Sequence, residues 1–430
     1  MAMVVKNNMS AISTLNTLNK NSSALSKSLQ KVSSGMKING AADDASGYAI
    51  SERMRVQIRG LDQANQNTQN GSSMMKVAEG AVSSTVDILK TLKEKVINAA
   101  NDTNTDADRQ TIQKELDQSI DQINDNANVT YNGKYLVDGS HNSKVTPTTT
   151  SMTNQSLNTK TAFDSTFASL TDRNGNSLNI QSSDTITFSY VKEGKTTTVK
   201  VSGASEIDDL ITAVSNDLAS GNASSVIGKD VAGDTVYTAD GASALTITAK
   251  ATGVTNQISG ITFSVTDTKG NVKKSANALL DNFSESIRAQ NKSDDNSINL
   301  QVGTKSNQAI KVGLTDMRAE ALGLQAQNGT TLNISTKEYA NAAINVLDSA
   351  VQKALDQQTT IGAVQSRLEY TSSNLTTASE NVQASESTIR DADMAKEMTN
   401  YTKNNVLMQA AQAMLSQANQ SSSSVLSLLQ

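Results

Sequence analysis

The chain has 430 residues and a formal charge of −5, with 37% hydrophobic and 3% aromatic residues, no tryptophan and no cysteine. So few aromatics argue against a thick globular core but suffice for narrow helical seams, and without cysteine there is no disulfide, thiolate metal site or thiol nucleophile. The small net charge predicts solubility with no nucleic-acid partner, and no run approaches the roughly 18 apolar residues of a membrane span.

The first residues lack the apolar stretch of a secretory signal, so any export is expected to leave the chain uncleaved. The first 42 residues carry five lysines, Lys6, Lys20, Lys27, Lys31 and Lys37, and the first acid is Asp43. Ala11, Leu15, Leu18, Leu25, Leu29, Val32 and Met36 step by four and three, with Ser22 in the missing slot. That spacing predicts an amphipathic helix. Lys20 and Lys27 fall off the stripe, and no arginine or stacking aromatic accompanies the lysines, so a solvated helix face is preferred over a nucleic-acid arm.

A second helix carries two adjacent heptad lines, Met75, Val82, Leu89 and Val96 beside Ala78, Thr85, Leu92 and Ala99. After a turn expected from Asn101 to Asp108, Ile112, Leu116, Ile120, Ile123 and Ala127 predict a third helix folding back on the same seam. From Tyr131 to Gly139 the period becomes that of strands, with Asn132-Gly133 and Asp138-Gly139 marking tight turns. Further strands are expected at Ile298 to Val302 and Ala309 to Leu314.

Between about His141 and Asn296 the chain is rich in Ser, Thr, Asn and Gly. Thr185 to Val191, Thr196 to Val201, Leu245 to Ala249 and Ile261 to Val265 alternate as strands, and Glu193-Gly194-Lys195 reads as a hairpin turn. Ile207, Leu210, Ile211 and Val214 predict one short helix, and Leu279, Leu280, Phe283 and Ile287 another. This stretch is expected to be a small inserted domain whose ends return to one place. The single proline, Pro147, lies within it, which leaves both terminal thirds free of that helix breaker.

Leu347, Ala354, Ile361, Leu368, Leu375, Val382 and Ile389 recur at every seventh position, which predicts one continuous helix with a single apolar stripe. Ser335-Thr336-Lys337-Glu338 reads as its capping box. From there to Ile389 such a helix would run about 80 Å. After Lys403 the remaining 27 residues carry no charge, yet Ala411, Leu415, Ala418, Ser422, Val425 and Leu429 again step by four and three. Rich in serine and asparagine, this segment is expected to be disordered alone and ordered by partners.

The fold class this predicts is mainly α: a long antiparallel helical rod of N- and C-terminal helices with a β-hairpin region, plus an inserted small α+β outer domain. The rod seam is assigned to Met75, Val82, Leu89, Val96, Leu347, Ile361, Leu368 and Leu375. The two ends are expected to pack on each other and on copies of themselves, through Leu15, Leu18, Leu25, Leu29, Val32, Met408, Leu415, Val425 and Leu429. An open repeating contact of that kind builds a filament.

A search for chemistry finds little to place. The single histidine, His141, has no second histidine to complete a zinc set, and neither a Gly-rich phosphate loop nor a Gly-x-Ser-x-Gly elbow is present. Asp43-Asp44 and Asp294-Asp295 read as caps or solvated turns, and Met74 and Met75 as core filler. No catalytic, cofactor-binding or metal residue is assigned, and the chain is not expected to be an enzyme.

The segment Leu29-Gln-Lys-Val-Ser-Ser-Gly-Met-Lys-Ile-Asn-Gly-Ala-Ala-Asp-Asp-Ala-Ser-Gly-Tyr-Ala-Ile-Ser51 resembles the N-terminal signature of bacterial flagellins. Ile389-Arg-Asp-Ala-Asp-Met-Ala-Lys-Glu-Met398, Gln409-Ala-Ala-Gln412, Gln417-Ala-Asn-Gln420 and Val425-Leu-Ser-Leu-Leu-Gln430 are similar to the flagellin C-terminus. Asp316-Met-Arg-Ala-Glu-Ala-Leu-Gly-Leu324 resembles the stretch where family members re-enter the last long helix. The likeness spans about residues 1 to 140 and 297 to 430 and leaves the insertion uncovered.

The resemblance implies a structural subunit of the flagellar filament, used in swimming. Residues 1–44 and 390–430 would form the inner-tube helices, 45–140 and 297–389 the helical rod with its hairpin, and 141–296 a surface-exposed α+β domain. It further implies homopolymerisation, a cytoplasmic export chaperone on the C-terminal segment, the flagellar export apparatus and cap as partners, and an extracellular location in the filament. An uncharged last helix suits a channel lining that does not grip passing chains. The alternatives are a hook-filament junction protein, and a filament adhesin acting through residues 141–296.

One departure concerns the family segment Leu-Gln-Arg-Val-Arg-Glu-Leu, which the animal innate receptor for flagellin recognises. Here the chain reads Leu89-Lys-Thr-Leu-Lys-Glu-Lys95. Thr91 stands in place of the forked arginine and Lys95 in place of an apolar contact, while Glu94 is kept and Lys90 and Lys93 flank it. Weakened recognition by the host receptor is expected.

Overall fold

The computed structural model describes residues 8–428, apart from the side chains of 220–222, 422–423 and 425–428. The chain begins with α1 (Met9–Ser34), whose first amides are met by Asn8, its side chain accepting from the Ala11 N–H at 3.0 Å. Next comes α2 (Ala45–Ala99), capped by Asp44, which accepts from the Ser46 and Gly47 amides. α3 (Asp106–Ala127) starts inside the expected turn, because Thr105 and Asp108 form a reciprocal capping box. Arg109 closes the corner from the other side, donating to the Ala99 and Asn101 carbonyls at 2.8 and 3.0 Å.

The Asn-Gly hairpin is present, with β1 (Thr130–Tyr131) and β2 (Lys134–Tyr135) joined by Asn132 and Gly133 at φ 51° and 76°. Both central residues of such a turn need positive φ, which explains the residue pair. The remaining strands are β3 (Ser151–Asn154), β4 (Thr185–Lys192), β5 (Lys195–Ser202), β6 (Leu218–Ser224), β7 (Val226–Lys229), β8 (Thr235–Tyr237), β9 (Ala244–Ala249), β10 (Ile258–Thr266), β11 (Phe283–Ile287), β12 (Ile298–Gln301) and β13 (Ala309–Val312). They form sheets ordered β10-β4-β5 and β11-β3-β9-β6, with β1-β2, β7-β8 and β12-β13 as separate pairs. Among them lie the short helices α4 (Ile207–Ala213), α5 (Lys274–Leu280) and α6 (Ala319–Leu322), and the chain finishes with α7 (Lys337–Arg390) and α8 (Met394–Leu428).

By compactness there are two units. One comprises Met1–Asn67, Gln301–Gln308 and Tyr370–Gln430; the other comprises Thr68–Leu300 and Ala309–Glu369. In the second unit Phe188 and Phe263 meet at 4.8 Å between ring centres, within a core that includes Phe167, Ile186, Leu210, Leu245 and Ile247. These strands sit directly on α7. Asn345 donates to the Ile261 carbonyl at 2.9 Å, and at Gly260 a Cβ would meet Val346 at 2.9 Å, so only glycine lets the two backbones approach. Buried Lys353 of α7 reaches Gln257 at 3.1 Å and Glu285 at 3.4 Å.

Two local expectations are corrected. Phe283 and Ile287 belong to β11 rather than to a helix. α5 stops at Leu280, and beyond it the open edge of β3 offers a ladder that pairs Phe283 with Asn154. The cap of α7 is Thr336, whose hydroxyl accepts from the Tyr339 N–H at 3.3 Å. The Ser335 amide is turned back to Asn333, and Glu338 faces Lys200 at 3.9 Å instead of reaching back to the cap.

Burial pushes the carboxyls of Asp281 and Asp316 up to about 6. A carboxyl whose folded value exceeds its unfolded value of 3.8 contributes stability that is complete below 3.8 and lost as pH rises through about 6. Lowering pH from 7 to 5 should therefore stabilise the second unit against urea, followed by circular dichroism, and Asp281→Asn should reduce the gain. An identical midpoint at both pH values would contradict this.

Candidate assembly interface

α1 and α8 pack antiparallel within the first unit, and polar side chains set their register. Asn8 donates to the Ala418 carbonyl at 3.2 Å, Asn21 to the Leu407 carbonyl at 3.2 Å, and Asn404 to the Ser28 hydroxyl at 3.1 Å. Among the described residues the fully covered positions are small, Ser28 on α1 and Ala411 on α8. Small residues let the helices approach but remove little apolar area from water.

The predicted stripe divides accordingly. Leu18, Leu25 and Val32 on α1, and Met408 and Leu415 on α8, are half-buried. Leu15 and Leu29 fall on the neighbouring heptad line and face outward, Leu29 being 52% exposed. Ile12, Val406, Leu407 and Met414 are exposed as well, Met414 by 63%. Leu429 and the side chain of Val425 lie outside the described residues, as does Lys6. The exposed residues other than Leu15 and Leu29 were not singled out from the sequence; their signal is the second set of apolar positions flanking the main stripe.

A polar knot holds the bases of these two helices. Lys37 N–H donates to the Arg390 carbonyl at 2.7 Å, and Ala392 N–H to the Gly35 carbonyl at 2.9 Å. Buried Arg390 donates to Glu52 at 2.7 Å and lies 5.4 Å over the Tyr48 ring. The Arg390 guanidinium holds the Glu52 carboxyl below the usual carboxylate range. Asp393 then caps α8, accepting from Ala395 and Lys396. This role for Arg390 was not read from the sequence, since a lone arginine between helices carries no pattern.

The seam residues behave differently in the two units. In the second unit Met75, Val82, Leu89, Val96, Leu347, Ile361 and Leu368 are buried, together with Leu116, Ile120 and Ile123 of α3. Polar pairs fix α2 and α7 antiparallel there, with Lys93 on Asp348 and Gln365 donating to Glu79 at 2.8 Å. In the first unit Leu375, Val382 and Ile389 are only half-buried, and Ser372 donates to Asn65 at 2.7 Å.

In the receptor-like segment Lys90 pairs with Asp87 at 3.2 Å, Thr91 donates to the Asp87 carbonyl at 3.0 Å, and Lys95 pairs with Glu115 at 3.0 Å. Lys93 is engaged by Asp348, and Glu94 is exposed. Elsewhere His141 Nδ1 lies 3.2 Å from the Asn296 carbonyl, Asp43 accepts from Asn39, and Asp295 is held down to about 2 by Lys311. Among the described residues no helix is long and apolar enough to cross a membrane.

Terminal helices closed on each other by small and polar side chains, in a chain whose middle region is rich in strands, define a helical structural subunit. Residues 5–142 match the bacterial flagellin N-terminal helical region and residues 344–429 the bacterial flagellin C-terminal helical region. A flagellin of Clostridium tyrobutyricum is 34% identical over 419 residues, covering 97% of this chain and 99% of the relative. A flagellin of Bacillus subtilis (strain 168) is 30% identical over 447 residues, covering 99% and 100%. Among solved structures the flagellar junction protein FlgL from Legionella pneumophila is 14% identical with a TM-score of 0.32, over 79% of this chain and 99% of that one, a likeness too loose to bear on role. The chain belongs to the bacterial flagellin family and is a structural subunit of the flagellar filament.

Arg390→Ala should loosen the knot, raising amide exchange at Lys37 and Ala392 at least a few-fold while amides inside α3 keep their protection. Unchanged exchange at both amides would contradict the role given to Arg390.

Proposed function

We propose that the subunit polymerises by covering the outward apolar residues of α1 and α8 with the same helices of neighbouring copies. The observation that carries this reading is the exposure of Ile12, Leu15, Leu29, Val406, Leu407 and Met414 on a pair of helices whose mutual seam is small and polar. A closed pair would leave some of these faces wet; a repeating contact along an axis covers them all.

In this reading residues 1–44 and 390–430 line the inner tube, 45–140 and 297–389 form the outer tube, and 141–296 faces outward. Leu18, Leu25, Val32, Met408 and Leu415 close the helix pair within one subunit, while Leu15 and Leu29 turn to the next. The role is mechanical rather than catalytic. Before assembly, the C-terminal segment is held by a cytoplasmic chaperone that hides its stripe, and the chain passes unfolded and uncleaved through the export apparatus to polymerise beneath the cap outside the cell. The uncharged residues after Lys403 suit a channel that must let other chains pass.

Leu15→Glu with Leu29→Glu tests the central step. Both side chains are exposed and glutamate is a good helix former, so monomer helicity should hold while addition to filament seeds, read by sedimentation, is lost. Normal addition by the double variant would overturn the reading.

The lysine-rich segment from Lys90 to Lys95 is proposed to weaken recognition by the host flagellin receptor. Thr91 spends its hydroxyl on the Asp87 carbonyl and offers no forked donor, and Lys95 is tied to Glu115. In a receptor reporter assay the response should be weak and should rise with Thr91→Arg plus Lys95→Leu. Full potency of the unaltered protein, or no gain in the double variant, would refute it.

A further inference from the structure

Among the described residues, the methionines exposed to solvent are Met9, Met394, Met398 and Met414, at 69, 43, 45 and 63%. All four lie on α1 or α8. Met74, Met75, Met152 and Met317 are buried at 6, 0, 3 and 3%, and all belong to the second unit. The sequence has no cysteine to compete for an oxidant.

Resting on the assembly reading above, we infer that these four thioethers are a peroxide-sensitive modification site that controls whether a free subunit can join a filament. A methionine sulfur attacks one peroxide oxygen; the O–O bond breaks, the thioether becomes a sulfoxide, and hydrogen peroxide is reduced to water. A flexible apolar side chain is thereby replaced by a polar, chiral one. In the monomer the new S=O group is hydrated and costs the fold nothing. In the assembled state it must lose that water against an apolar neighbour, and a buried polar group without a partner is costly.

The modification therefore discriminates between states. The free subunit reacts, because its terminal helices are uncovered, whereas a subunit already in the filament has these sulfurs screened by its neighbours. Oxidised subunits are excluded from growth without the existing polymer being dismantled. Methionine sulfoxide is reversible by reduction, so the block is too.

The test treats purified monomer with hydrogen peroxide, maps each methionine by peptide mass spectrometry, and measures the lowest concentration that adds to untreated seeds. Met9, Met394, Met398 and Met414 should oxidise ahead of Met74, Met75, Met152 and Met317, and the polymerising concentration should rise about tenfold or more. Preformed filaments given the same dose should show the four residues protected. A variant carrying Met9→Leu, Met394→Leu, Met398→Leu and Met414→Leu, with parental helicity, should show the same polymerising concentration before and after peroxide, whatever its starting value. Polymerisation of fully oxidised monomer at the usual concentration, or equal peroxide sensitivity of the leucine variant, would overturn the inference. Failure of untreated monomer to add to seeds would instead strike the assembly reading, and the inference with it.

Discussion

The seam between α1 and α8 is too polar and too narrow to keep both helices dry. Among the described residues its buried positions are a serine and an alanine, and three asparagine side chains set its register. Apolar area is what pays for ordering a helix, and helices without enough buried area are marginal in water. In the proposed reading, the leucines and methionines left outside the seam are both the weakness of the lone subunit and the surface through which copies join.

The second unit follows the opposite economy. There the heptad lines of α2, the inner face of α3 and the stripe of α7 are fully covered within one chain, each large side chain worth roughly 1.5–3 kcal/mol relative to exposure. The strand-rich region is bound to α7 by Asn345, by the close approach at Gly260 and by the buried Lys353–Glu285 pair. One sequence thus carries a unit whose helical seam is covered within the chain and one whose helical seam covers little.

Much of this was legible in the residues themselves. The seven-residue recurrence from Leu347 gave α7 within a residue or two, and Asn132-Gly133 and Glu193-Gly194 marked hairpins that are present. Less legible were the strands that do not alternate. β3, Ser-Met-Thr-Asn, is buried on both faces and bonds Thr153 to Thr246 through hydroxyls, so it carries no period of two. The spacing of Leu279, Leu280, Phe283 and Ile287 fitted a helix, but a partner edge distant in sequence claimed the last two. The apolar stripes of α1 and α8 were visible, whereas their division into covered and exposed lines was not. A four-three pattern identifies the apolar side of a helix but not which neighbour takes each line.

On the proposed reading, the terminal helices become stably ordered only when copies cover them. Amide hydrogen exchange measured on the same protein as monomer and as seeded polymer tests it most directly. α1 and α8 should exchange rapidly in the monomer and slowly in the polymer, with α3 and the 68–99 portion of α2 protected in both. Terminal helices as protected in the monomer as in the polymer would contradict it.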